Sequence, residues 1–221
     1  MKILLFGASG MVGQGVLREC LAAPDVNQVN AVGRAPLAQT HPKLQHVVAP
    51  DLADLHDAEA GLKGFDACFF CLGVSSAGMS EVEYTRLTHD LTLAAAATLA
   101  RLNPGMSFVY VSGAGTDGTE RGRTMWARVK GRTENDLQRL GFAKVCLFRP
   151  GIIQPLHGIR SKTGSYRVFY ALTGPLLSLA RRAFPNEVLS TEAMGLAMLN
   201  AVRRRAGGIF ESAGIARLAQ P

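Results

Sequence analysis

Six short apolar runs recur along the 221-residue chain, with stretches of helical spacing between them. The runs are "KILLFG", "VNAVGR", "LQHVVAP", "DACFFCLG", "SFVYVSGAG" and "AKVCLFRPG". Strict alternation of strand and helix implies a parallel sheet with helices on both faces. The near-continuous apolar character of the strands agrees, because such a sheet is covered on both sides. Helices are expected over Gly10–Ala22, over Asp54–Leu62, from Ser80 to the Asn103-Pro104-Gly105 stop, and over Gly122–Leu140. Ser80 is an expected cap, with Glu81 and Glu83 in the first turn. After Gly151 the alternation loosens into a Gly/Ser/basic loop and helical stretches near 165–183 and 190–205. The expected fold is therefore an α/β, doubly wound parallel sheet with a small C-terminal helical elaboration. It forms one domain over 1–221, in which 152–221 supplies the substrate-side region.

Composition excludes several classes. Hydrophobic residues are 48% of the chain and charged ones 19%, enough for a sizeable core and against wholesale disorder. The formal charge of +7 is uneven: residues 1–117 hold seven Lys/Arg and eleven Asp/Glu, residues 118–221 seventeen and six. A basic half can bind nucleic acid, but no recognisable module or basic–aromatic interleaving accompanies it, which speaks against that partner. Arg203, Arg204 and Arg205 end a helical stretch, where cations offset the negative end of the helix dipole. Cys68 and Cys71, three apart in a strand, point to opposite faces and cannot readily share a metal or a disulfide. No metal is expected, and reduced core cysteines suggest a cytoplasmic location. The apolar run at the N-terminus stops at a glycine cluster, unlike a leader, and Val168–Ala180 is too short to span a bilayer. That last segment is a candidate partner-facing or membrane-surface element.

Immediately after the first run stands Gly7-Ala8-Ser9-Gly10-Met11-Val12-Gly13. Glycines at a strand-to-helix turn let the backbone approach a pyrophosphate, whose charge meets amide N–H groups and the helix N-terminus. Its position in the first βαβ unit makes the motif more specific than a lone glycine pattern. At the end of the second strand an acidic residue would hold the ribose hydroxyl of NAD, whereas arginine suits the 2′-phosphate of NADP. The sequence offers Arg34 and no carboxylate nearby, so NADP(H) is preferred over NAD(H). A solvated surface arginine is the competing reading.

These features together resemble the atypical short-chain dehydrogenase/reductase superfamily, in particular its small NAD(P)-binding, epimerase-like members. The resemblance rests on "GASGMVG", "VGR", "PDL", "FFCLG", "VYVSGAG", the Lys130 helix and "FRPG", and covers Met1 to about Gly151. It implies a Rossmann-like fold in which Asp51 and Leu52 border the adenine, and Cys71, Leu72 and Gly73 line the cofactor's ribose side. It further implies Ser112 at the catalytic serine position and Lys130 hydrogen-bonded to the nicotinamide ribose. The backbone around Arg149, Pro150 and Gly151 would bound the nicotinamide.

Trp126, four residues before Lys130, departs from the pattern, which implies a proton-exchanging tyrosine there. An indole N–H is a donor with no accessible conjugate base. Other acids then come into view: Tyr84 near the loop after the fourth strand and His157 beyond "RPG", each competing with an ordinary structural role. Tyr110 reads as a core phenol. Two functions follow. One is an NADP-dependent oxidoreductase or epimerase-like enzyme on a small carbonyl or hydroxyl substrate. The other is a catalytically silent NADP(H) sensor acting through a regulatory protein partner. The long helices after strands four and five are common packing surfaces, so a homodimer is a further candidate assembly.

Overall fold

The computed structural model describes residues 1–159 and 177–221. Most of the expected helix near 165–183, and most of the Val168–Ala180 segment, lies outside the described residues. Seven strands form one parallel sheet: β1 (Lys2–Phe6), β2 (Gln28–Gly33), β3 (Leu44–Val48), β4 (Ala67–Phe70), β5 (Ser107–Val111), β6 (Lys144–Arg149) and, later in the chain, β9 (Gly208–Glu211). Their spatial order is β3-β2-β1-β4-β5-β6-β9. Phe6 of β1 pairs in register with Val32 on one side and Phe70 on the other. The direction of winding reverses between β1 and β4, and a crevice opens there at the carboxyl ends of the strands.

Alternation along the strands divides the core into two layers. Ile3, Leu5 and Phe69 join a cluster with Val16, Leu17 and Cys20 of helix α1 (Met11–Ala22). Leu4, Phe6, Phe70 and Phe108 face the opposite layer with Ala95, Ala96, Leu99 and Leu137. Cys68 belongs to the second layer while Cys71 packs against the first, and all four cysteines are free.

Helix α2 (Glu81–Thr85) starts at a complete capping box: Ser80 accepts from the Glu83 backbone N–H, and the Glu83 carboxylate accepts from Ser80. The helix continues through a π turn at Arg86–Asp90 into α3 (Leu91–Leu102). In that turn the His89 ring lies between Asp90 (2.7 Å) and Asp136 (2.9 Å). Asp136 sits on α4 (Met125–Leu137), so the imidazole ties the two helices together. The expected stop at Asn103 is built from its side chain, whose Oδ1 accepts from the Gly64 and Phe65 N–H groups.

Beyond β6 the chain supplies more than helices. Strands β7 (Ile152–Gln154) and β8 (Val188–Ser190) pair in parallel as a separate ribbon. Helix α5 (Thr191–Arg203) packs on α1, β9 closes the main sheet beside β6, and α6 (Ser212–Leu218) follows. The edge strand β9 escapes sequence reading because "GIFE" is mostly exposed and carries no buried apolar run.

Candidate functional site

The turn from β1 into α1 is fixed by two glycines. Gly7 has φ +77°, and a Cβ on it would lie 2.7 Å from the Cys71 carbonyl at the end of β4. A Cβ on Gly13 would lie 2.0 Å from the Gly7 oxygen. Only hydrogen fits at either position, so the turn is held tightly between α1 and β4. Gly10 caps α1 and has no side chain to satisfy the first N–H groups, which therefore remain available at the crevice.

Two cavities of about 340 and 490 Å³ flank this turn and share Gly7, Ser9 and Leu72 in their walls. They form one groove across the carboxyl ends of the strands. The smaller is bounded by Arg34 and Leu52. The larger takes Gly10, Met11, Val12, Cys71 and Gly73 on one side. Ser112, Lys130, Pro150 and Gly151 lie on the other. Gly13 packs behind the turn rather than lining either cavity. No described residue pairs with the exposed Arg34 guanidinium. Leu37, Ser75 and Ile153 also line the groove and were not anticipated. Leu37 and Ser75 lie three and two residues beyond the "VGR" and "FFCLG" stretches, and that proximity is the available signal.

Three anticipated residues stand apart from the groove. Asp51 is exposed and its Oδ1 accepts from the Ala53 N–H at 2.9 Å, closing its own turn, while its neighbour Leu52 points inward. Tyr84 is 2% exposed and buried in the protein interior. His157 faces Glu192, with Nε2 2.7 Å from Oε2.

At the β5 end, Thr116 Oγ1 donates to the Gly113 carbonyl at 2.7 Å and lies 2.8 Å from Ser112 Oγ. Thr116 has one hydroxyl proton, so it accepts from Ser112 in this arrangement. Ser112 is left with acceptor lone pairs. Lys130 Nζ donates to the Ser112 carbonyl at 3.2 Å and stands 5.5 Å from the Tyr110 ring centroid. Burial pushes the Lys130 ammonium down to about 8, against the opposing field of Glu134 one turn further on. The Tyr110 hydroxyl is bonded to Thr133, whose own proton goes to the Val129 carbonyl, as a core phenol requires. A Cβ on Gly115 would stand 3.6 Å from Trp126 Cη2 and one on Gly113 4.0 Å from Cζ3. The half-buried indole therefore covers the Gly113–Gly115 loop, outside the groove wall.

No family model matches the chain. "Protein fmp52, mitochondrial" of Emericella nidulans is 30% identical over 159 residues, covering 69% of this chain and 66% of the relative. Protein HTATIP2 of Rattus norvegicus is 27% identical over 154 residues, covering 69% of this chain and 62% of the relative. The matches thus span just under two thirds of each relative's length. Among solved structures, a UDP-glucose 4-epimerase superposes with TM-score 0.71 at 14% identity, covering 98% of this chain and 80% of that one. The Bordetella bronchiseptica enzyme WbmF in complex with NAD+ gives 0.69 at 15% identity, covering 99% and 76%. A short-chain dehydrogenase from Burkholderia cenocepacia J2315 in complex with NADP gives 0.66 at 14%, covering 98% and 89%.

The chain shares the Rossmann-like fold of these dehydrogenase and epimerase structures.

The relatives correct one expectation. The fungal relatives are named as mitochondrial proteins, which overturns the cytoplasmic location inferred from free cysteines. Reduced thiols indicate a reducing compartment, and more than one compartment satisfies that condition. The linings give the groove its polarity: glycine turn at the centre, Arg34 at one end, Ser112 and Lys130 at the other.

Proposed function

We propose that the groove binds NADP(H) and that the protein is an oxidoreductase or epimerase-like enzyme acting on a small carbonyl or hydroxyl compound. One observation carries the reading: the Arg34 guanidinium, unpaired among the described residues, opens onto the same groove as a glycine turn whose helix N-terminus lacks a side-chain cap. The residues fit a dinucleotide phosphate group by group. The Gly7–Gly13 turn lets backbone approach the pyrophosphate, and Arg34 suits a 2′-phosphate through parallel N–H donors. At the far end Lys130 offers an ammonium to a ribose hydroxyl, while Pro150 and Gly151 bound the ring. The nicotinamide would supply hydride donor and acceptor chemistry. The chain's own part is to orient the ring, exclude water and handle the proton. The dinucleotide complexes of WbmF and of the Burkholderia dehydrogenase support a nicotinamide ligand.

A panel of small aldehydes, ketones and sugar nucleotides, followed by NADPH oxidation, tests the reading. Turnover of a panel member with NADPH supports it, and absence of NADPH binding contradicts it. A second reading, an NADP(H) sensor working through a protein partner, draws on Trp126. The residue four before Lys130 is an indole that covers the Gly113–Gly115 loop and cannot exchange a proton. Tight NADPH binding without turnover across the panel would favour the sensor.

A further inference from the structure

We propose that the Lys130 side chain is the proton-transfer group of this site, in the place where a phenol would otherwise serve. The inference rests on the reading of the groove as an NADP(H) site and adds the identity of its acid/base.

The groove wall narrows the choice. Among the described residues, Cys71 and Lys130 are the titratable side chains at the Ser112 end of the groove. Burial drives the Cys71 thiol far above its ordinary range, so it neither ionises nor gives up a proton near neutrality. Tyr110 is locked to Thr133, Tyr84 is buried elsewhere and His157 is turned to Glu192. Ser112 has its proton directed to Thr116 and presents lone pairs. It can therefore accept from a substrate alcohol or from the Lys130 ammonium, and is not set to polarise a carbonyl.

Lys130 has the remaining requirements. Its Nζ lies at the cavity wall beside Ser112, held by the Ser112 carbonyl. The charged groups around it leave its proton labile. Glu134 on its own helix would hold the ammonium, but that carboxylate is engaged by Arg149 of β6. On β5 it meets the Tyr110 ring face, and across the cavity the neutral Cys71 thiol. With its ionisation brought to about 8, the amine can act in either direction near neutral pH.

The step balances. In reduction the carbonyl carbon gains a hydride from the reduced nicotinamide, and the C=O π pair moves to oxygen. That oxygen takes a proton from Lys130 Nζ, leaving a neutral amine that solvent reprotonates. In oxidation the free amine would take the alcohol proton while the carbon gives up its hydride to the oxidised nicotinamide and the O–H pair becomes the C=O π bond. Reduction should therefore slow as pH rises through about 8, and oxidation should speed up.

The test begins with protein carrying 13C-labelled lysine, saturated with NADPH. The chain has six lysines, so the Lys130 ε-carbon resonance can be assigned by its loss in Lys130→Arg. A titration midpoint near 8 is expected; a midpoint of about 10 or above, the ordinary lysine range, overturns the proposal. With 4-nitrobenzaldehyde as carbonyl probe, the wild-type rate should fall about tenfold per pH unit above that midpoint. Lys130→Arg, which keeps the charge but cannot release it, should lose at least about 100-fold in rate. Its NADPH affinity should stay within about threefold, because the donor is retained. A rate indifferent to pH, a Lys130→Arg protein as fast as wild type, or a wild type that binds NADPH and leaves the aldehyde untouched would each overturn it. Failure of the nucleotide reading is separate and visible first, as a flat NADPH isotherm.

Discussion

Arg149 of β6 grips Glu134 of α4 with Nε at 3.1 Å from both carboxylate oxygens and Nη2 at 2.5 Å from Oε2. Glu134 is 1% exposed, so the pair is an interior ion pair that fixes the helix bearing Lys130 against the sheet. Removing one partner strands a charge. Arg149→Met should cost about 3–5 kcal/mol, read by urea denaturation, while Arg149→Met with Glu134→Met should recover much of that loss. In Arg149→Met the freed carboxylate should also raise the Lys130 midpoint. An unchanged midpoint would mean that Glu134 does not act on the ammonium.

Lys130 itself should lower stability near neutral pH. Its folded ionisation lies near 8, below the ordinary 10.5, so between these values the unfolded chain binds more protons and stability rises with pH. Lys130→Met should melt higher than wild type at pH 7, by about 2 kcal/mol, with the gap closing towards pH 10.5. Thermal melts at pH 7, 8.5 and 10 check the sign; a gap that widens with pH would refute it.

Gly13 tolerates no side chain, since its Cβ would meet the Gly7 oxygen at 2.0 Å. Gly13→Ala should cost more than about 3 kcal/mol or abolish nucleotide binding by displacing the turn. Gly105→Ala is the control, because nothing lies within 4 Å of the added methyl. It should stay within about 0.5 kcal/mol.

Trp126 is the only tryptophan and packs on the loop that follows Ser112. NADPH should change its emission on titration, by contact through that loop and by energy transfer to the bound dihydronicotinamide. Calorimetric binding without any change in emission would separate the indole from the nucleotide.

The sheet was legible because strands buried on both faces carry apolar runs with little else in them, as "KILLF" and "ACFF" do. The edge strand β9 lacks that pattern and was missed, and the π turn at Arg86–Asp90 leaves no distinctive spacing. Within the site, Gly7, Gly10 and Gly13 could be read directly, since a strand-to-helix turn imposes a local steric demand. Arg34 followed from its place after β2. Asp51 was assigned to the groove with Leu52, yet neighbours on an irregular loop need not share a direction, and its short carboxylate closed a turn instead. Tyr84 and His157 could not be placed from sequence because their directions are set by packing against distant residues. The Ser112–Thr116–Gly113 hydrogen bonds, which orient the serine proton, depend on the loop's three-dimensional closure.

The central claim is that Arg34 and the glycine turn together make an NADP(H) site, and calorimetry on wild type and Arg34→Ala tests it most directly. Wild type should bind NADPH about 10- to 100-fold more tightly than NADH, in line with a charged hydrogen bond of about 1.5–3 kcal/mol. Arg34→Ala should lose that preference while NADH affinity stays unchanged. Equal losses for the two nucleotides, or no binding of either to wild type, would contradict the account.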